Sequence, residues 1–416
     1  MERLTRILRT RSFWALADQG IASASNYVIV ILLGRYLSKE HLGMFTIPNE
    51  MLLYLSALHA ALIVYPLSFR GAKLDADRLR HVTTVAIIIT LALFLPFGGT
   101  IFAIGSKQFW SVGLCAAAAL GAFQLHETLR RSLMAHFRYT ELIWGDAVGY
   151  LGTALSVIVM QHFGVLSVAS VFGAMAIAFL LAAVVQATRA KPTTVSRPEI
   201  REGAAEFWGL GRWMLASNLT MVFTGFGVQW VLSQSHGYGT VGNFQALANL
   251  LKLTNPMVTA MVGLIVPAVA AAGYWRAGMK YAWLGFSILA PYFMILLLAP
   301  KFVLGVLYGA RAQEYLPYMV ELRLSVATAA AGYATSMTLA ILAGLGHSRA
   351  YFYAQVINTI VSIAFVIPAA YIGGWRPTLI AGLMAMVLTG TTAFALLLRT
   401  RGRAQVAPAA REGSNA

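Results

Sequence analysis

The chain has 416 residues, of which 59% are hydrophobic and only 11% charged, with a mean hydropathy of +0.70. A soluble domain carries about 25% charged residues, so this chain cannot cover a water-facing surface and reads as an all-α polytopic membrane protein. Its net charge of +16 does not point to nucleic acid, because the basic residues flank apolar runs and act as topology signals; the single Cys115 excludes an intramolecular disulfide.

In chain order, apolar stretches long enough to cross a bilayer predict about twelve transmembrane helices. They lie near 13–34, 44–66, 82–104, 109–129, 141–160, 165–187, 208–232, 242–270, 281–300, 316–345, 351–372 and 377–398. The first follows the basic "MERLTRILRTRSFW", but its apolar run is interrupted by Asp18 and Gln19 and continues to Leu33. A cleavable signal has a shorter apolar region, so this helix is expected to be retained. His126, Glu127 and Asp146 crowd the inner ends of the fourth and fifth spans, where "HET" at 126–128 reads as an interfacial polar patch. "AKPTTVSRPE" cannot build a core and makes 188–207 a cytoplasmic linker between the halves 1–187 and 208–398. Residues 399–416 are small, polar and basic, and are expected to form a disordered cytoplasmic tail.

The charges test the count. With the N terminus inside, 22 of the 31 Lys and Arg residues fall in inner segments, Arg130 and Arg131 among them. Seven lie at outer edges: Arg35, Lys39, Lys107, Lys301, Arg311, Arg323 and Arg376. Such a bias predicts an even number of spans with both termini cytoplasmic. Only Arg212 and Lys252 are left over.

The two halves are related in sequence. "SFWALADQGIAS" at 12–23 aligns with "EFWGLGRWMLAS" at 206–217, and after a five-residue adjustment "LGMF" at 42–45 falls on "VGNF" at 241–244. Both copies start from the inner side, which implies two parallel six-helix halves rather than inverted ones. The alignment sets Asp18 against Arg212, either as a pair across a central cleft or as two interfacial caps. Gly145 and Gly149 form a small-xxx-small packing site around Asp146. Pro48, Pro256, Pro267, Pro291 and Pro368 lie within or near spans, where each removes a backbone donor and can kink its helix.

Lys252 carries the sharpest functional signal. It lies about ten residues, or about 15 Å, into the 242–270 span, near mid-bilayer. Gln245, Asn249, Lys252 and Asn255 recur at helical spacing and form a polar stripe that needs protein or water beside it. Lys252 then either contacts an anionic substrate or pairs with a carboxylate, for which Glu50 in the matching second helix is the candidate. Enzyme motifs fail on context: "GYGTVG" at 237–242 has no βαβ unit around it, and the histidines have no zinc-ligand spacing. Neither a cofactor nor a metal is expected. The loops leave no room for an ATPase or glycosyl-transfer domain.

The opening "SFWALADQGIASASNYVIVILLGRYLSKEHLGMFTI" resembles the polysaccharide-transport branch of the multidrug/oligosaccharidyl-lipid/polysaccharide (MOP) superfamily of flippases. The resemblance rests on Gln19, Ser25–Asn26, Gly34–Arg35, Leu37 and Gly43-x-Phe45, repeated as Gly242-x-Phe244. It implies a MOP/MATE-like fold in the bacterial inner membrane and alternating access for an undecaprenyl-pyrophosphate-linked oligosaccharide. O-antigen, capsule or exopolysaccharide synthesis would be the setting, with membrane lipids and glycan polymerase or export machinery as partners of a monomeric, non-enzymatic flippase. Lys252, Arg212, Gln245, Asn249, Asn255 and Arg35 are the substrate-binding candidates. The alternative on the same scaffold is a cation-coupled drug or small-solute antiporter, which needs an ion-coupling carboxylate; Asp18, Glu50 and Asp146 are the candidates, together with Glu141.

Overall fold

The computed structural model describes residues 11–71, 74–223 and 225–404. The chain is an all-α, multi-pass membrane protein. Among the described residues, nine helices are long and apolar enough to cross a membrane, or ten if the bent pair Tyr238–Leu251 and Thr254–Ala270 counts as one span. The first ten residues and 405–416, which hold most of the predicted tail, lie outside the described residues; the last helix continues to Ala404.

The chain divides into two compact units, Met1–Gln245 and Ala246–Ala416. The first contains α1 (Arg11–Tyr36), α2 (Lys39–Gly71), α3 (Ala76–Gly105), α4 (Trp110–Ala135), α5 (Tyr139–His162), α6 (Val168–Ala190), α7 (Arg197–Leu219) and α8 (Phe226–His236). Short polar turns separate them, and side chains close several helix starts. Ser38 and Asp75 accept from the amides of His41 and Arg78, and Ser167 forms a reciprocal capping box with Ser170. The predicted linker is mostly helical. Ser196 donates its amide and hydroxyl to Glu199 at 2.6 and 2.7 Å, so α7 begins at Arg197. Those two bonds hold the Glu199 carboxyl below its ordinary range. The extended remainder is tied down where Thr84 donates to the Thr193 carbonyl and accepts from its amide.

Within this unit α4 lies centrally, against both α3 and α6. Small residues permit the close approach. A Cβ at Gly145 would strike the Gln186 side chain, and one at Gly149 would lie 2.8 Å from the Phe179 ring, so both glycines of the small-xxx-small site face α6. The end of the linker and the residues after it also pack here: Arg70 pairs with Glu206, and Asn218 donates to the Ala57 carbonyl at 2.8 Å.

The helix α9 (Tyr238–Leu251) starts against α2 through a reciprocal contact. Gly43 and Gly242 are each the fifth residue of their helix. A Cβ on Gly43 would run into the Tyr238 carbonyl oxygen, and one on Gly242 into that of Lys39, the first residue of the opposite helix in each case. The two "G-x-F" segments aligned by sequence therefore touch each other, backbone to backbone.

The second unit holds the rest of α9, then α10 (Thr254–Ala272), α11 (Arg276–Leu298), α12 (Pro300–Tyr308), α13 (Met319–Gly344), α14 (Ala350–Gly373) and α15 (Trp375–Ala404). Here α13 is central, against α10, α11 and α15. Gly344 abuts Val269, Gly390 abuts Thr335, and Arg376 pairs with the buried Glu321 at 2.6 Å. The predicted 242–270 span is not one helix. Pro256 lacks the N–H that would bond the Lys252 carbonyl, and the helix breaks at Lys252–Leu253 with a 48° bend. The freed carbonyls find other donors: Asn249 accepts from the Lys252 amide, Leu250 from the Tyr292 hydroxyl, Leu251 from the Thr254 hydroxyl and Lys252 from the Asn255 amide.

The double substitution Gly43→Ala/Gly242→Ala is expected to force α2 and α9 apart and to lower the unfolding temperature in detergent by several degrees, roughly a 1–3 kcal/mol overpacking cost. Unchanged melting would mean that the contact does not exist in the folded protein.

Candidate functional sites

The first site is a buried ionic cluster between α1, α4, α5 and α6. Its hub is Arg130, 5% exposed. The guanidinium donates from Nε to Asp146 Oδ2 and from Nη2 to Asp18 Oδ2, each at 2.6 Å. These two donors form the edge that ordinarily grips both oxygens of one carboxylate; here it bridges two. Asp146 is also met on Oδ1 by Gln186 Nε2 at 2.9 Å and by His126 Nε2 at 3.0 Å. Arg131 donates to Glu127 at 2.6 Å, and Glu127 lies 3.4 Å from the third nitrogen of Arg130. An aromatic wall surrounds His126, with Phe179 at 5.2 Å and Tyr150 at 6.0 Å between ring centroids.

The ionic balance matters. Among the described residues, the carboxylates of Asp18, Glu127 and Asp146 pair with two guanidiniums, Arg130 and Arg131, so the carboxylates outnumber the guanidiniums by one. Asp146 has both oxygens engaged, whereas Asp18 Oδ1 is buried with no hydrogen-bond partner among the described residues. A π-turn at Ala147–Leu151 directly follows Asp146, and another at Ala60–Val64 follows the buried His59, which meets Thr90 at 3.0 Å and Thr128 at 3.2 Å. Such turns often mark places where a helix has to adjust. No group of residues able to hold a metal ion occurs among the described residues.

The second site is a polar cavity of about 460 Å³ inside the second unit. Lys252 and Asn255 enter it from the helix break, Thr328, Thr335 and Ser336 from α13, Gln355 and Asn358 from α14, and Thr389 from α15. Thr335 and Thr389 donate to backbone carbonyls of α15, and Tyr333 donates to the Ala282 carbonyl at 2.6 Å. Their oxygens retain lone pairs for a guest. No carboxylate occurs among the described residues lining this cavity.

The sequence-based candidates are thus distributed between two places. Asp18 and Asp146 meet on Arg130, so Asp18 is paired there and not with Arg212, which is exposed on α7. Lys252 and Asn255 share the cavity; Gln245 and Asn249 are buried on α9, and the break divides the expected stripe. Arg35 is exposed at the end of α1 and Glu50 is half-buried on α2. Within the 126–128 patch His126 and Thr128 are buried in the protein and Glu127 is half-buried. Arg130 was missed as a functional residue because the fourth span was ended at 129, which made it a loop cation; α4 runs on to Ala135.

Sequence comparison finds neither a matching protein-family model nor a matching curated protein. Solved structures do match. An inward-facing multidrug resistance MATE family transporter of the MOP superfamily aligns with a TM-score of 0.74 at 12% identity, over 96% of this chain and 100% of that one. The outward-facing conformation of such a transporter gives 0.63 at 15% identity, over 96% and 95%. A MOP superfamily transporter from Pyrococcus furiosus, described as having a binding pocket of reverse polarity, gives 0.58 at 14% identity, over 96% and 95%. The chain therefore has the fold of the MOP-superfamily, MATE-type transporters. This corrects the resemblance to the polysaccharide-transport branch: the "G-x-F" segments are a short helical pattern, and the structures that match over nearly the whole chain include those of MATE transporters.

Arg130→Ala would strand two buried carboxylates and is expected to destabilise the protein by roughly 3–5 kcal/mol. Arg130→Lys should recover little, since an ammonium cannot reproduce the bridging edge. Denaturant unfolding in detergent reads both, and a loss under about 1 kcal/mol for the alanine variant would contradict the hub role.

Proposed function

We propose that the protein is a proton-coupled, alternating-access antiporter of drug-like or other small solutes. The observation that carries this reading is the charge deficit of the Asp18–Arg130–Asp146 cluster. A buried group with one carboxylate in excess takes up a cation to remove the imbalance, and Asp18 Oδ1 is the oxygen with capacity to receive a proton. Protonation there weakens the Asp18–Arg130 bond, the ionic tie between α1 and α4, while Asp146 keeps α5 and α6 fastened through Arg130, His126 and Gln186. Loss of the proton on the other side restores the tie. The adjacent π-turn in α5 supplies backbone able to absorb the shift. The multidrug transporters of the same fold support the antiporter class. Lys252 and Asn255 serve the solute at the second cavity.

The reading includes a twelve-span topology with parallel halves and both termini cytoplasmic. The alternating charge bias supports it, as does the reciprocal Gly43–Gly242 contact, which two related segments facing each other across a local two-fold axis would make. Cysteines engineered at 191–196 are expected to resist membrane-impermeant maleimide in intact cells; rapid external labelling would reject the topology.

In proteoliposomes, an imposed pH gradient should accelerate movement of at least one member of a panel of cationic, neutral and anionic fluorescent solutes. Asp18→Asn should keep the downhill movement of that solute but lose its dependence on the gradient. Acceleration of the Asp18→Asn variant equal to wild type would remove Asp18 from the coupling.

A further inference from the structure

We infer that a cavity at one end of the first unit binds the headgroup of a phosphoethanolamine lipid, with Arg78 meeting the phosphate and the glutamates of α7 meeting the ammonium. The inference stands apart from the transporter reading and holds whatever solute the protein carries.

The cavity, about 370 Å³ in volume, lies where the end of α2, the start of α3 and the start of α7 come together. Both α2 and α3 are long and apolar enough to cross a membrane; Gly71 ends one and Ala76 begins the other, so the cavity sits at a membrane–water boundary. Tyr65 and Phe69 just before Arg70, and Trp208 just after Phe207, are exposed. Tyrosine and tryptophan are enriched at that depth of a bilayer. Under the charged walls the packing is apolar. Phe207 is buried in a cluster with Ile63, Leu67 and Leu79, and a Cβ at Gly203 would lie 2.7 Å from Val85, so α7 presses closely onto α3.

The walls carry opposite signs. Glu199, Glu202 and Glu206 recur at helical spacing along α7, while Arg70, Arg78 and His81 line the cavity from α2 and α3. Arg70 and Glu206 pair and tie the two walls together. Both bonds that Ser196 donates to Glu199 fall on Oε2, so Oε1 can accept from a guest. Arg78 Nε lies 3.6 Å from Asp75, beyond a hydrogen bond, which leaves a guanidinium able to grip a phosphate. His81 donates from Nδ1 to the Asp77 carbonyl at 2.9 Å, so Nε2 is its ring atom left for a guest.

A guest of one sign would be repelled by one wall. An anionic headgroup such as phosphoglycerol meets three carboxylates, and a simple cation meets two guanidiniums. A zwitterion satisfies both. Among zwitterions a primary ammonium brings three N–H donors to the glutamates, whereas a trimethylammonium brings none. The position at the boundary assigns the phosphate to a lipid, whose chains stay in hydrocarbon while Val82 and Val85 supply apolar lining near the glycerol.

The test titrates the full chain in maltoside detergent with dihexanoyl lipids bearing phosphoethanolamine, phosphocholine or phosphoglycerol, and with chain-free glycerophosphoethanolamine. Binding is read by microscale thermophoresis and folding by gel filtration. Wild type should bind the phosphoethanolamine lipid at least roughly tenfold more tightly than the other three probes, the scale of one charge-assisted bond. Glu202→Lys, which puts a cation on the acidic wall, should cut the preference over phosphocholine to about twofold or less. Arg78→Gln should weaken the phosphoethanolamine and phosphocholine lipids alike and leave their ratio unchanged. Equal affinity for the three lipids, a preference for phosphoglycerol, or a preference over phosphocholine that survives in Glu202→Lys would each overturn the inference. Glycerophosphoethanolamine binding as tightly as the lipid would overturn it too, by assigning the cavity to a water-soluble phosphate ester. Glu202 and Arg78 are both exposed, and if Glu202→Lys did not fold, the wild-type ranking and Arg78→Gln would still decide.

Discussion

An arginine carried from water into a protein interior loses several kcal/mol of hydration, and the loss is recovered only when every donor finds an acceptor in good geometry. Arg130 recovers part of it through two short bonds, to Asp18 on α1 and Asp146 on α5, and a longer contact with Glu127 on its own helix. Much of the first unit follows from this requirement. For Asp146 to reach Arg130 while Gln186 reaches Asp146, α5 and α6 must approach closely, and glycines at 145 and 149 remove the side chains that would hold them apart. The aromatic wall of Tyr150 and Phe179 then separates the cluster from its surroundings and raises the cost of leaving its charge unbalanced.

The second unit follows a different constraint. A proline inside an apolar helix removes one backbone bond, and in hydrocarbon the freed carbonyls need new donors. Tyr292, Thr254 and the Asn255 amide supply them around the break, and the same break places Lys252 in the lining of a cavity of mixed polar and apolar walls. One unit thus holds a buried ionic cluster and the other a cavity lined in part by amides and hydroxyls.

Much of this was legible in the residues themselves. Low charge and long apolar runs gave the membrane class, and the polar character of Lys252 and Asn255 gave one wall of the cavity. The repeat of "G-x-F" marked two segments as related, and only the structure brings them into contact. Three things were hidden for physical reasons. Arg130 follows a long apolar helix and looks like a boundary cation until its partners, over a hundred residues away at Asp18 and 16 away at Asp146, are brought to it. Thr328, Thr335, Gln355 and Thr389 are ordinary polar residues of membrane helices, and only tertiary packing makes them one surface. The resemblance to the polysaccharide branch rested on a few short motifs, and short motifs do not report the geometry of the whole chain.

Proton exchange at Asp18 is the central claim, and infrared difference spectroscopy tests it directly. Protein in lipid films is cycled between mildly acidic and mildly alkaline buffer, and the carboxylic-acid carbonyl band is followed in wild type and Asp18→Asn. A single titrating band that is present in wild type and absent from Asp18→Asn is the predicted result. A spectrum in which that band persists unchanged in Asp18→Asn, or in which wild type shows no such band, would contradict the account.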